Sequence, residues 1–362
     1  MSTSILQNNG LQSLSWQQVT QSQIMTRVSE ELQKETAKVE EKYDSQNVLL
    51  DAQSQKLASL KAGINNAEIA VDNGEDAVKE VKDALLKMRI LLGNYPESDD
   101  KEQLRTDFDE YVDKINRSVN LYAKAYNPVG NVVNTDWTPN TISYERDQSS
   151  NRTEMTGTYI GSSFYIEAED GTMWVADPGS SSIQQYEIYK TDNVADSTKG
   201  DGFASTRSGL YLNSYNEETG KITVTVDPEN NPTTVTGTIH KGGTELMQSW
   251  FYDLDTEDGR AKALAAIDRA DALVVGAEAT LTGMKATIAN DSAKVQKELE
   301  LNKEKRGENL TAQMTESYEL QVQKQQELQI LQNTFSQMAA QQANYSKIFK
   351  SVNTNPLLDV IT

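Results

Sequence analysis

Residues 267–295 read IDRADALVVGAEATLTGMKATIANDSAKV, and within them Ile267, Ala270, Val274, Ala277, Leu281, Met284, Ile288 and Val295 recur at alternating three- and four-residue spacing, broken once at Asp291. A stripe of that length, with a polar opposite face and no proline, predicts a long amphipathic helix. Such a seam buries its apolar surface only when another helix lies against it. Working outward, Leu328, Leu331, Phe335, Met338, Tyr345, Phe349 and Val352 form a second stripe with Gln342 as its polar interruption. The N-terminal third answers with Ala77, Val81, Ala84, Met88 and Leu91, and less completely with Met25, Val28, Leu32 and Val39. Any one stripe suits ordinary core packing. Placement at both ends of the chain points further, to terminal helices that pair with each other and with neighbouring copies.

Between these ends the texture changes. Gly93-Asn94-Tyr95-Pro96 stops the first helical region, because glycine permits a left-handed cap and proline cannot continue a helix. Ser98-Asp99-Asp100 offers capping oxygens to a short helix carrying Leu104, Phe108, Tyr111, Ile115, Val119 and Tyr122. From Asn127-Pro128 to about Trp250 the chain reads as short strands: 158–160, 163–166, 173–175, 209–212, 222–226 and 235–239. Asp170-Gly171 is a hairpin signal. Helix resumes after Asp258-Gly259, with breaks expected near Gly283 and Gly307. The fold expected is mainly α with a β-rich insertion, a long helical coiled-coil or bundle core built from both termini plus an inserted β domain.

Composition narrows the function. With 34 basic and 54 acidic residues the net charge is −20, which opposes phosphate backbones and anionic lipid, so no nucleic-acid or membrane partner is expected. No apolar run reaches the ~20 residues that span a bilayer, and the N-terminus lacks the pattern of a cleaved secretory leader. Cysteine is absent and histidine occurs once, at His240, which removes thiolates, zinc clusters and most imidazole chemistry. His240, beside Lys241-Gly242-Gly243, reads as part of a polar turn.

Carboxylates are the remaining candidates for chemistry. Asp253, Asp255, Glu257 and Asp258 before Gly259 have the composition of a calcium loop but not the EF-hand spacing, and suit the positive end of the following helix. Glu167 and Glu169 share one face of a strand, either as a glycosidase-like pair or as a solvated sheet face. Asn151-Arg152-Thr153 fits a glycosylation acceptor pattern. Gln321 to Gln342 is glutamine-dense, either a polar helix flank or hydrogen-bonding surface between subunits. No catalytic, cofactor or metal site is expected.

A family resemblance rests on six motifs in order. Ser4-Ile5-Leu6-x-Asn8-Asn9 resembles the opening of flagellins, particularly an alphaproteobacterial form. Residues 66–94, NAEIAVDNGEDAVKEVKDALLKMRILLGN, resemble the flagellin core helix, with Ala77, Val78, Glu80, Val81, Leu85, Lys87, Arg89 and Leu91 in the patterned places. Leu104, Phe108, Ile115 and Arg117 resemble the next family helix. Leu264–Asp268, Tyr318–Gln332 and Ala340–Asn344 are similar to C-terminal family stretches. The likeness covers roughly residues 1–133 and 258–350. Departures are Arg27-Val28-Ser29-Glu30-Glu31 in place of Arg-Leu-Ser-Ser-Gly, and Asn127-Pro128-Val129-Gly130 in place of Phe-Asn-Gly. The ending Asn355-Pro356-Leu357-Leu358-Asp359-Val360-Ile361 resembles that of hook-filament junction proteins.

The resemblance implies a secreted structural subunit of the bacterial flagellar filament, without enzyme activity. It implies inner-core helices at 1–44 and 318–362, an outer helical core at 45–134 and 253–317, and an exposed β-rich domain at 135–252. Its partners would be copies of itself in a helical homopolymer, flagellar junction and cap proteins, an export chaperone and the flagellar type III export apparatus. Residues expected at subunit contacts are Leu11, Leu14, Met25, Val28, Leu32, Leu328, Leu331, Phe335 and Met338. A hook-filament junction protein, and a filament subunit whose exposed domain binds glycans or surfaces, are the alternatives.

Overall fold

The computed structural model describes residues 3–94, 100–120, 126–131, 135–191, 194–227 and 229–353, with side chains described from Val19 to Ile348 of these. Three α-helices are present among the described residues: α1 (Thr3–Gly93), α2 (Lys101–Val119) and α3 (Glu257–Asn353). The chain divides into two compact units, one of Met1–Gln55 with Glu298–Thr362 and one of Lys56–Lys297. No helix among the described residues is long and apolar enough to cross a membrane.

In the second unit the opening stripe is buried from Ile267 to Val295, and Ala77, Val81, Ala84 and Met88 of α1 are buried with it. Cross-helix ion pairs fix an antiparallel register: Arg89 to Asp268 at 2.6 Å, Lys82 to Glu278 at 2.7 Å, and Lys285 to Asp72 and Glu75 at 3.0 and 2.8 Å. Solvent screens exposed pairs of this kind, so they contribute little and burial of the seam dominates. The breaks expected at Gly283 and Gly307 do not occur. Glycine in a helix costs only about 1 kcal/mol. At Gly276, Gly283 and Gly307 a threonine four residues on donates its hydroxyl to the glycine carbonyl, at 3.0, 3.1 and 2.9 Å, which satisfies backbone the missing side chain leaves open.

The expectation of a helical bundle core with an inserted β domain is overturned. The helical part is two long helices and one short one, and the middle of the chain is a large antiparallel sheet curled into a half-barrel. A separate hairpin comes first, pairing β1 (Thr141–Glu145) with β2 (Arg152–Thr156). The strands of the half-barrel are β3 (Ser162–Ala168), β4 (Met173–Asp177), β5 (Ser182–Ile188), β6 (Thr198–Ser205), β7 (Leu210–Tyr215), β8 (Lys221–Val226) and β9 (Thr233–Gly243). Their spatial order is β6-β5-β4-β3-β9-β8-β7. The sheet does not stand apart from the helices, because both sheets share a core with them. Asp291, the polar break in the α3 stripe, is buried and accepts hydrogen bonds from Tyr144 Oη on β1 (3.1 Å) and Thr153 Oγ1 on β2 (3.2 Å). Burial, and then the nearby Asp291 carboxylate, push the Tyr144 hydroxyl up to about 12.

Helix α2 carries the other attachment. Its apolar stripe, Leu104, Phe108, Val112, Ile115 and Val119, is buried, and so is a second stripe of polar residues. Asp109 accepts from Ser249 N–H at 2.6 Å and from Ser249 Oγ–H at 2.8 Å. Asp113 pairs with Arg207, and Asn116 Oδ1 accepts from Ser162 N–H at 2.7 Å. Positions 109, 113 and 116 lie on one helical face. They bind the 3₁₀ turn at Ser249–Phe251, the turn between β6 and β7, and the start of β3.

The hairpin at Asp170-Gly171 forms as expected between β3 and β4, with Gly171 at φ +87° and Asp170 Oδ1 accepting from Thr172 N–H. The strand expected at 158–160 is instead a bonded connection in which Thr158 and Ile160 donate to the carbonyls of Pro128 and Val129. His240 lies on β9 rather than in a polar turn, stacked on Tyr165 at 4.5 Å, and Tyr165 stacks on Trp137 at 5.5 Å. Trp137 lies so close over Gly242 that a Cβ there would fall 2.1 Å from the ring. Tyr95, Pro96, Ser98, Asp99, Tyr122 and the ending from Asn355 lie outside the described residues.

Burial raises the Asp109 carboxyl to about 7, against the pull of its two hydrogen bonds from Ser249. A group whose pKa is raised on folding contributes stability that is full below its unfolded value near 3.8 and is lost as pH rises through the folded value. Thermal stability of the second unit is therefore expected to fall as pH rises from that unfolded value to about 7, with a slope on the order of 1.4 kcal/mol per pH unit. Asp109→Asn is expected to flatten that fall and to raise the melting temperature at about pH 8, as read by calorimetry across the series.

Candidate assembly surface

The first unit is a helix pair made from the two ends of the chain, and its register is set by contacts across it. Lys42 lies 2.8 Å from Glu316, Arg306 2.7 Å from Asp51, and Lys324 3.3 Å from Glu31. Tyr43 Oη donates to Glu316 at 3.0 Å. Hydrogen bonds from Lys42 and then Tyr43 hold the Glu316 carboxyl below its usual range. The helices are antiparallel, which sets Val28 and Leu32 level with the stretch from Lys324 to Leu328.

The seam inside this pair is narrow. Val28, Val39, Tyr43 and Leu50 are buried on the α1 side, whereas the α3 side of the unit offers Leu328, Leu331 and Phe335 as half-buried residues. Two helices cover only one strip of each other, so apolar residues off that strip stay in water. Met314 is 67% exposed, Tyr318 68% and Ile330 65%, and Val48, Leu49 and Leu310 are also exposed. Exposed apolar groups on this scale mark a surface suited to contact with another chain. Chemically the surface offers area for packing and a fringe of glutamines for hydrogen bonds.

The residues expected at subunit contacts divide in the structure. Val28 is buried within the pair and Leu32, Leu328, Leu331 and Phe335 are half-buried, so these line the intramolecular seam first. Met25, 38% exposed, and Met338, 43% exposed, remain open to a second chain. The side chains of Leu11 and Leu14, like those of Phe349 and Val352, lie outside the described residues. Sequence reasoning missed Leu310, Met314 and Tyr318, although their four-residue spacing was a signal, because they fall off the heptad stripe.

The other candidate groups have local partners. Glu167 faces His240 Nε2 at 3.6 Å on exposed sheet, whereas Glu169 lies in the turn after β3 rather than on the strand and faces Lys221 Nζ at 3.6 Å. Asp255 pairs with Arg105 and Lys101, Asp258 with Lys262, and Thr256 Oγ1 accepts from Gly259 N–H at the start of α3. Asn151 Nδ2 donates to Asp147 Oδ2 at 2.8 Å. Among the described residues there is no group of three or more metal-ligating side chains.

No family model matches the chain, and no curated protein matches it. A solved structure from Vibrio parahaemolyticus, named provisionally as a flagellar hook-associated protein, is similar over 73% of this chain and 95% of its own, at 12% identity and a TM-score of 0.35. A likeness that distant assigns neither fold nor function.

If the exposed row is a contact surface and Leu50 is core, their substitutions separate. Leu50→Ala is expected to destabilise the first unit by about 2–4 kcal/mol in thermal unfolding. The triple change Leu310→Ser, Met314→Ser and Tyr318→Ser is expected to leave helicity unchanged and to weaken self-association by about tenfold or more in sedimentation.

Proposed function

We propose that this chain is a structural subunit that polymerises into the bacterial flagellar filament, exported from the cell and without catalytic activity. The observation that carries the proposal is the uncovered apolar surface on the helix pair made from both chain ends. A monomer gains nothing from such a surface in water. A polymer does, because each added copy covers it and shifts the balance by mass action. The flagellin-like motifs support the choice of filament, since they run in family order through the same helices. On this reading the partners are other copies of the chain, the junction and cap proteins at the two ends of the filament, and a chaperone and the flagellar type III apparatus during export. The acidic net charge of −20 suits a subunit that meets neither nucleic acid nor anionic membrane.

A hook-filament junction protein is the second reading, favoured by the ending Leu357-Leu358-Asp359-Val360-Ile361. The two differ in when assembly stops. Electron microscopy of the purified protein after a polymerisation trial is expected to show filaments that lengthen with added subunit. Short closed rings would transfer the assignment to the junction role, and a protein that stays monomeric at all concentrations would remove both. Deleting residues 345–362 is expected to abolish filaments while the unfolding transition of the second unit persists. Normal polymers from the truncated chain would defeat the proposal.

A further inference from the structure

The half-barrel ends at β7, which pairs with β8 on one side only, and we propose that this free edge docks a short, extended, basic peptide segment of another protein. Two clefts open along it, of about 630 and 550 Å³, and Leu212 and Asp253 line both. The first reaches α2 and Trp250. The second reaches Tyr215, Phe251 and the first turns of α3. A strand laid against β7 takes main-chain hydrogen bonds from the edge, and its alternate side chains point toward one face where the clefts receive them. β7 is only six residues long and its register with β8 shifts between Leu212 and Ser214 before pairing resumes at Ser214 and Tyr215, so the segment it can dock is short.

Charge selects the occupant. Glu102 and Glu229 line the first cleft, Glu217 and Glu245 the second, and Asp253 both; among the described residues none of the five makes a close salt bridge, and Glu217 feels Lys262 only at longer range. The cations of the clefts are mostly engaged. Arg105 holds Asp255, Arg207 holds Asp113, Lys262 holds Asp258, and Lys241 lies over the rings of Tyr215 and Phe251 at 5.1 and 5.0 Å. Arg269 alone of the lining cations has no such engagement among the described residues. Lysine or arginine at alternate positions of the added strand meets the unpaired carboxylates, with Tyr211 exposed beside them. A second copy of this chain is disfavoured at the same edge, because edge-to-edge pairing would set one row of carboxylates against its own image.

The test uses the full chain and two labelled hexapeptides, one alternating lysine with valine and one alternating glutamate with valine. Fluorescence anisotropy at about 0.1 M salt, where surface attraction is screened beyond about 10 Å, is expected to show saturable binding of the lysine peptide about tenfold tighter than the glutamate peptide. Hydrogen exchange at residues 210–215 is expected to slow when it binds. A chain of net charge −20 attracts polycations in general, so two charge reversals of equal size are compared. Glu217→Lys with Glu229→Lys is expected to weaken binding by about tenfold, and Glu145→Lys with Glu154→Lys on the separate hairpin by no more than about twofold. Equal losses from the two pairs, unchanged exchange along β7, or no binding of the lysine peptide would each overturn the proposal.

Discussion

The apolar stripe from Ile267 to Val295 has to be covered along its whole length, and most of the second unit follows from how that is done. Eight residues at heptad spacing offer α1 a seam, and the ion pairs beside it fix which turn of one helix meets which turn of the other. These pairs are too exposed to stabilise much, but each wrong register would place like charges together. Asp291 is where the seam alone does not suffice. A buried carboxylate left without donors would cost several kcal/mol; Lys294 reaches one oxygen of Asp291 at 3.3 Å, and Tyr144 and Thr153 donate hydroxyls to the other from β1 and β2. The single flaw in the stripe is thus the site at which β structure is joined to helix.

Helix α2 repeats this logic with more polar partners. Its apolar face is buried in the ordinary way, and its polar face is also buried, which is tolerable only because Asp109, Asp113 and Asn116 each meet a partner fixed by the sheet. The half-barrel is therefore held by groups that must be satisfied one by one. An apolar interface of the same area would tolerate sliding. This one specifies a single arrangement.

These features explain what was legible in the residues and what was not. Heptad spacing located the long helices, and Asp170-Gly171 located a hairpin, because both signals are local. The bundle expectation failed because periodicity shows that a face is covered without showing what covers it. Here a large share of the cover comes from a sheet. Strands β5 and β6 were invisible for a different reason. Their ladder is irregular, with Gln184 and Gln185 side chains bonding to Gly200 and Gly202 backbone, and β6 lacks apolar alternation and has Thr198 as its one β-branched residue. The glycines after His240 look like a turn in sequence, yet they serve β9: Gly242 lets Trp137 approach, and Gly243, at φ +64°, lets the Gly161 carbonyl approach.

The same limit governs the candidate surface. A heptad stripe names the residues that want cover, and Val28 and Leu328 belong to it, but the first partner to arrive is the chain's own other end. What is left for a second chain is decided by what one helix cannot reach, which is geometry rather than spacing. In the second unit the stripe is met by α1 and, at Asp291, by β1 and β2, and it is buried throughout. In the first unit two helices have only each other, and Met314, Tyr318 and Ile330 stay in water. Since removing apolar area from water yields about 25 cal/mol per Å², a few such residues per helix bias association by several kcal/mol without altering the monomer's fold. The shortage of cover in one unit, beside its sufficiency in the other, is the physical ground for the proposal that the chain ends are where copies would meet.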